Sequence, residues 1–259
     1  MTASKTALVV SAGGMFGAWQ AGAWRALSRF FQPDIVVGAS IGSLNGWAIA
    51  GGCDPQSWVD MWLSLERGQQ LRYRMPHSIF DGILDPVLFE EWVQTIYNSF
   101  TPRVPYGVVI TELLRLRPRL VRTPHVTFHH LAASCAVPGM LPIPLIEGKR
   151  WIDGGVLTPL PLWAAAEMGA TRILALNVLK EAPPAFRLAA QTLRALVPSG
   201  PPLPPGLEVL VLSPAGCLGT SRDSFQWRRE NAAKWAAAGF NDALAQEQII
   251  QKMFCRESI

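Results

Sequence analysis

Short apolar runs alternate along this chain with longer segments in which apolar residues recur at helical spacing. The runs predict five strands, at residues 6–10, 35–37, 106–116, 172–179 and 207–212. Because helical segments separate the first strands, we expect a mainly parallel sheet that is covered by helices.

Apolar residues at helical spacing predict helices within 18–30, 160–168 and 225–254. Asp-Pro pairs at 54–55 and 85–86 predict two further helix starts, and we interpret 54–100 as a helical insertion beside the sheet. A proline-rich segment covers 181–206, and Pro118 predicts a hairpin turn at its own position. We find no internal repeat or convincing domain boundary, so we predict a single domain over 1–259.

The composition narrows the class of protein. Hydrophobic residues make up 49% of the 259 residues, so much of the chain is buried or leaves apolar surface for a lipid or a partner. The net charge of +4 does not call for nucleic acid, and we expect no such partner. Four cysteines without a Cys-x-x-Cys pair disfavour a zinc site and favour a reduced, cytoplasmic protein. No run of 18 residues is free of polar residues, so we predict no transmembrane helix.

A Gly-x-Ser-x-Gly motif, 38–42, follows the second predicted strand and precedes a segment of small and apolar residues. In a strand–turn–helix context, this motif holds its serine hydroxyl out above the sheet, near the positive end of the helix. Ser40 is therefore our candidate nucleophile, with Gly38 and Gly42 relieving the turn. The alternative is an ordinary glycine-rich turn with a capping serine.

A serine nucleophile needs a base, which is usually histidine. No histidine follows residue 130, so the common order of serine, acid and histidine is excluded for any acid beyond that point. An earlier acid, Asp81 or Asp85, paired with His129 or His130 remains an open alternative.

Asp153 is the better candidate for the base. It follows the apolar pair Trp151-Ile152, which indicates a strand end, and it precedes Gly154 and Gly155, which let the backbone turn tightly. A carboxylate there could take the serine proton directly. Its ordinary pKa of about 3.9 makes it a weak base unless it is desolvated or held by a short hydrogen bond. The alternative is a simple Asp-Gly turn.

The loop after the first strand contains Gly13, Gly14 and Gly17. The backbone N–H groups of Gly13 and Gly14 are candidates for binding the oxyanion of an acyl-transfer reaction. The same loop nearly matches a dinucleotide fingerprint. However, Ser40 stands where that fingerprint needs an acid, and no phosphate-loop Gly-Lys-Ser/Thr is present.

In this order, the glycine loop 12–17, the Ser40 motif and Asp153-Gly154-Gly155 resemble the patatin-like phospholipases, as does the segment 132–139. The resemblance runs from about residue 6 to 178. It implies a three-layer α/β/α fold, a Ser40–Asp153 dyad, an oxyanion hole at Gly13 and Gly14, lipid or small ester substrates, and neither metal nor cofactor.

Two positions depart from the family pattern. Ala12 replaces the first loop glycine, and Phe16 stands where the family usually has Arg or Lys. Without that cation, we expect neutral or short-chain esters to be turned over at least as well as anionic phospholipids. The rival hypothesis is a non-catalytic lipid- or protein-binding module that retains the fold.

One predicted helix, at 186–197, combines an apolar face with flanking arginines. Such a helix can lie in a lipid interface, which predicts transient, peripheral contact with membranes. The alternative is that the same face packs on the domain.

Overall fold

Eight strands form one sheet in the computed structural model, which describes residues 4–65, 74–179 and 200–254. They are β1 Thr6–Val10, β2 Ile35–Ala39, β3 Tyr106–Glu112, β4 Arg117–Arg122, β5 Leu145–Ile146, β6 Lys149–Asp153, β7 Arg172–Leu176 and β8 Glu208–Leu212. The order across the sheet is β5-β6-β3-β2-β1-β7-β8, with β4 paired to β3. Strands β1, β2, β3, β7 and β8 are parallel, so the predicted mainly parallel sheet is confirmed.

The helices in the described parts of the chain are α1 Gly17–Leu27, α2 Ile41–Ala50, α3 Pro55–Leu63, α4 Val87–Ser99, α5 Phe128–Ser134, α6 Leu162–Glu167, α7 Arg229–Ala245 and α8 Glu247–Phe254. Asp54-Pro55 opens α3 and Asp85-Pro86 immediately precedes α4, so both helix starts are as predicted. None of these helices is both long and apolar enough to cross a membrane. The predicted helix at 186–197 lies outside the described residues.

The strands alternate between two cores. In β1, Leu8 and Val10 contribute to the larger core, whereas Ala7 and Val9 contribute to the smaller one. The larger core also takes side chains from α1, α2, α3, α4, α5, α7 and α8, and α6 covers the other face. Since successive strand residues point to opposite faces, this partition places helices on both sides of the sheet. The fold is therefore the expected three-layer α/β/α.

The prediction of a turn at Pro118 is wrong. The chain turns between Glu112 and Arg117, and Leu116 there has a positive φ of 48°. Pro118 instead pairs with Thr111 inside β4, whose only partner in the described sheet is β3. An edge strand tolerates proline because its missing N–H need not reach a further strand.

Strands β2 and β6 meet end to end along one edge of β3, since β4 covers the opposite edge. β2 runs parallel to β3 and ends with Ala39 opposite Val109. β6 runs antiparallel to β3 and ends with Asp153 opposite Ile110. The carboxyl ends of the two strands therefore face each other at neighbouring positions of β3. The residue after β2 is Ser40.

Asn45, in α2, is the centre of a buried polar network. Its amide nitrogen donates to Gly17 O at 3.0 Å and to Gln20 Oε1 at 2.8 Å. Its amide oxygen accepts from the indole N–H groups of Trp58 at 2.9 Å and Trp62 at 3.0 Å. Both amide hydrogens and both acceptor positions are used. One side chain thus ties α1, α2 and α3 together.

We expect Asn45→Ala to lower the free energy of unfolding by about 2–4 kcal/mol, because it leaves two buried indole N–H groups without a partner. Chemical denaturation measures this loss. The matched control is Asn98→Ala at an exposed position of α4, which should change stability by less than about 0.5 kcal/mol. Equal effects of the two substitutions would contradict the role of the network.

Candidate active site

Ser40 stands in the sharp turn between β2 and α2. Its backbone has φ 54° and ψ −134°, a conformation that non-glycine residues rarely adopt. The turn is possible because both flanking motif positions are glycine. A Cβ atom at Gly38 would lie 2.2 Å from Gly42 O, and one at Gly42 would lie 2.4 Å from the backbone oxygens of Val10 and Ser11. The motif is thus packed against the end of β1.

The strained turn is held by two other serines. Ser40 N–H donates to Ser134 Oγ at 2.9 Å, and Ser134 Oγ donates to Val109 O at 2.8 Å. Ser43 donates to Ser40 O through its hydroxyl at 2.6 Å and its N–H at 2.8 Å. The Ser40 side chain makes no capping hydrogen bond to α2. The alternative of a capping serine is therefore wrong.

Asp153, at the end of β6, is the hydrogen-bond partner of the Ser40 hydroxyl. Ser40 Oγ donates to Asp153 Oδ2 at 2.6 Å, and Gly155 N–H donates to Asp153 Oδ1 at 2.6 Å. The carboxyl is 2% exposed. Burial raises its pKa to about 7, although both hydrogen bonds act to lower it. The structure therefore joins the two predicted dyad residues in one buried hydrogen bond.

The glycines after Asp153 bring the site together. A Cβ atom at Gly154 would lie 2.0 Å from Val109 O, so this backbone lies directly on β3. A Cβ atom at Gly155 would lie 2.4 Å from Ala12 Cβ and 3.7 Å from Ser40 Cβ. The missing side chain at Gly155 therefore makes room for the methyl group of Ala12, one of the two departures from the family pattern.

Ser11 fixes the peptide that leads into the glycine loop. Its fully buried hydroxyl donates to Ala12 O at 2.9 Å and accepts from Val178 N–H at 3.1 Å. Gln20 Nε2 donates to Ser11 O at 2.7 Å, which connects the loop to the Asn45 network. In a trans peptide the C=O and N–H groups point in opposite directions. The Gly13 N–H consequently points away from the Ser11 hydroxyl.

The loop glycines pack on neighbouring protein. A Cβ atom at Gly13 would lie 2.2 Å from Val178 Cγ2, and one at Gly14, which has a φ of 56°, would lie 2.1 Å from Ser224 O. These close approaches to protein weaken the dinucleotide-loop alternative. Within the described residues, neither Gly13 N–H nor Gly14 N–H donates a hydrogen bond. Gly17 begins α1.

The Phe16 side chain packs inside the protein. It is buried, and its ring packs edge to face on Trp235 with 5.0 Å between ring centroids. The side chain thus anchors the loop to α7. The expected preference for neutral esters stays a prediction, and this contact gives it no direct support.

The structure does not bring together the residues of the alternative sites with a histidine base. His130 Nδ1 accepts from the Thr127 N–H at the start of α5. Asp81 binds Arg74, and Asp85 accepts from the first N–H of α4. Among the hydrogen bonds of the described residues, the nucleophile candidate has only Asp153 as a side-chain acceptor.

Two contributors to the site were not identified from the sequence. Ser134 lies in the segment 132–139 that resembles the family, but the sequence does not mark its role, and Ser11 lies in no motif that separates it from other serines. Each is a single polar residue in an apolar or small-residue stretch, Ala132–Ala136 and Leu8–Gly14.

Comparisons with known proteins identify the family of this chain. A family model described as Patatin-like phospholipase matches residues 8–166, more than half of the chain. Two relatives are named Patatin-like phospholipase domain-containing protein 7, one from Rattus norvegicus and one from Mus musculus. Each is 29% identical to this chain over 191 residues, which cover 69% of it. The chain spans only 14% of the length of those relatives.

A solved structure shares the fold. VipD from Legionella pneumophila aligns with a TM-score of 0.52 at 13% identity, covering 95% of this chain and 67% of that one. At this identity the likeness concerns the fold alone. With the family match over residues 8–166, the chain belongs to the patatin-like phospholipase family.

Proposed function

We propose that this chain is a serine hydrolase that cleaves acyl ester bonds of lipids through a Ser40–Asp153 dyad. The observation that carries the proposal is the 2.6 Å hydrogen bond from Ser40 Oγ to the buried Asp153 carboxyl. A serine hydroxyl that donates to a carboxyl of raised pKa has its base within hydrogen-bond reach, which is what activates a serine nucleophile.

In the first half-reaction, Ser40 Oγ attacks the ester carbonyl while its proton passes to Asp153 Oδ2. A carboxylate with a pKa near 7 is a better proton acceptor than an ordinary aspartate, because burial penalises its charged form. The tetrahedral intermediate then collapses. Asp153 returns the proton to the departing alcohol, and the acyl group remains esterified to Ser40.

In the second half-reaction, a water molecule gives a proton to Asp153 and attacks the acyl-enzyme. Collapse of this intermediate releases the carboxylic acid, and the proton returns to Ser40 Oγ. We assign oxyanion binding in both halves to the N–H groups of Gly13 and Gly14. Their lack of acceptors within the described residues supports this assignment.

The family and the names of the relatives support a lipid substrate. We propose lipid acyl esters of the phospholipase A, lysophospholipase or esterase type, with small esters as accessible surrogates. The rival is a non-catalytic module that binds lipid or protein, and the ester assays below separate the two.

Ser40→Ala and Asp153→Asn should each lower kcat/KM for a soluble aryl ester such as p-nitrophenyl butyrate by at least about a thousandfold, because each removes one member of the dyad. Single His→Ala substitutions at 77, 125, 129 and 130 should retain most of the activity. A folded histidine variant as inactive as Ser40→Ala would overturn the dyad. A folded wild-type protein without any ester turnover would favour the binding module.

Stability provides the control for Asp153→Asn. The native carboxyl holds its proton more tightly than the unfolded one, since its pKa rises from 3.8 to about 7. The stability that this group contributes is therefore greatest below pH 3.8, falls as the pH rises to about 7, and is constant above. At pH ~8 the variant should be at least as stable as the wild type. Its inactivity then reflects chemistry.

The pH dependence of the wild type reports the same group. As a base, Asp153 acts only when it is deprotonated, so kcat/KM should fall about tenfold per pH unit below pH ~7 and level off above. A profile of soluble-ester turnover between about pH 5 and 9 measures this. A rate that stays constant down to pH ~5 would contradict a base of raised pKa.

Ser11→Ala tests the orientation of the loop peptide. Loss of its bond to Ala12 O should lower kcat about 10- to 100-fold and leave KM within about twofold, because oxyanion binding acts on the transition state. Ser28→Ala, at a partly buried serine after α1, is the matched control and should leave kcat unchanged. A rise in KM at constant kcat would indicate a role in substrate binding instead.

A further inference from the structure

The four most exposed large apolar side chains of the described residues are Leu114, 89% exposed, Ile79, 88%, Met75, 82%, and Leu145, 63%. Leu114 stands in the β3–β4 turn, Leu145 in β5, and the other two in the segment before α4. We call these four residues the apolar rim. Single exposed apolar side chains are common, but a concentration of the most exposed ones in neighbouring segments indicates an interaction surface.

Arg150, in β6, joins the three segments that carry the rim. Its guanidinium lies 3.8 Å from the centroid of the Phe80 ring and donates to Ile143 O at 2.9 Å. Its backbone pairs with Leu145, and its carbonyl accepts from Leu113 N–H at 2.9 Å. These contacts hold the three segments that carry the rim against one another.

This surface lies at the edge of the sheet where Ser40 is found. Asp153 pairs with Ile110, and β3 continues two residues further to Glu112 before the turn that holds Leu114. Arg150 is three residues before Asp153 on β6, a distance of about 10 Å along an extended strand. The hairpins that carry Leu114 and Leu145 therefore lie beyond the dyad, at the end of the sheet to which β2 and β3 run.

Cationic side chains flank the apolar ones. The β3–β4 hairpin carries Arg115, Arg117, Arg119 and Arg122 with the carboxylate Glu112. The β5–β6 hairpin carries Lys149 and Arg150 with the carboxylates Glu147 and Asp153. Glu112 lies between Arg115, at 3.7 Å, and Lys149, at 3.6 Å. The hairpins thus retain an excess of positive charge beside their exposed leucines.

We propose that the apolar rim docks this protein onto the surface of an anionic phospholipid bilayer. The leucines at the hairpins enter the boundary between headgroups and acyl chains, and the neighbouring cations remain among the phosphates. The inference rests on the proposed function, because it supplies the route by which lipid esters reach Ser40. It assigns membrane contact to the hairpins and the 74–87 segment, independently of the helix predicted at 186–197.

The test is co-sedimentation with vesicles of phosphatidylglycerol and phosphatidylcholine, in parallel with p-nitrophenyl butyrate turnover. Leu114→Glu/Leu145→Glu should weaken vesicle binding at least about tenfold, because two carboxylates would have to enter the interface. Soluble-ester turnover should stay within about twofold, since neither residue belongs to the dyad or the glycine loop. Ile249→Glu, at an exposed position of α8, is the matched control and should bind like the wild type.

A second pair, Met75→Ser/Ile79→Ser, repeats the test without altering a hairpin. It should also weaken vesicle binding, and it decides the matter if the leucine variant does not fold. Vesicle binding unchanged in both pairs, or absent in the wild type, overturns the proposal. Equal binding to pure phosphatidylcholine vesicles overturns the claim that the bilayer must be anionic.

Two further outcomes separate the docking proposal from the proposed function and from self-association of the chain. Binding that depends on the rim in a protein without ester turnover keeps the docking surface and overturns the proposed function. The other outcome is an active enzyme in which the rim substitutions change the oligomeric state, measured by light scattering, but not vesicle binding. The rim would then be a contact between copies of the chain, and the bilayer proposal would be overturned.

Discussion

The site depends on the way in which β2 and β6 share one edge of β3. One strand is parallel and the other antiparallel to β3, so their carboxyl ends meet at Val109 and Ile110. Ser40 follows the first end and Asp153 forms the second, which explains their 2.6 Å contact although 113 positions separate them in sequence. The pairing of the sheet, rather than a flexible loop, sets the distance between the two groups.

The contacts around the ends of β2 and β6 hold Ser40 in a strained conformation and Asp153 in a buried position. Ser40 has strained dihedral angles, which persist because Ser134 and Ser43 hold its backbone from both sides. Asp153 is buried beside it, where desolvation raises its pKa and two donors prevent it from being left unpaired. The Asn45 network then fixes the helices behind the glycine loop. Strain and burial are thus concentrated at the proposed nucleophile and base.

Local pattern predicted much of the fold, and long-range pairing determined the rest. The apolar runs of β1, β7 and β8 were sufficient to predict those strands, and the Ser40 and Asp153 motifs carry strong local turn signals. The antiparallel direction of β6 could not be predicted, because it depends on residues far away in β3. Pro118 misled for the same reason: whether proline ends a strand depends on whether its outer edge needs a partner. Ser134 and Asn45 are isolated polar residues whose partners become visible only once the sheet and helices are assembled.

Covalent labelling of the folded protein with a fluorophosphonate, followed by peptide mass spectrometry, tests the Ser40–Asp153 dyad most directly. We expect a single adduct, on Ser40, whose rate of formation rises with pH up to about pH 7 and falls strongly in Asp153→Asn. No adduct on Ser40, or labelling equally fast in Asp153→Asn, would contradict the claim that the ends of β2 and β6 form a nucleophile and its base.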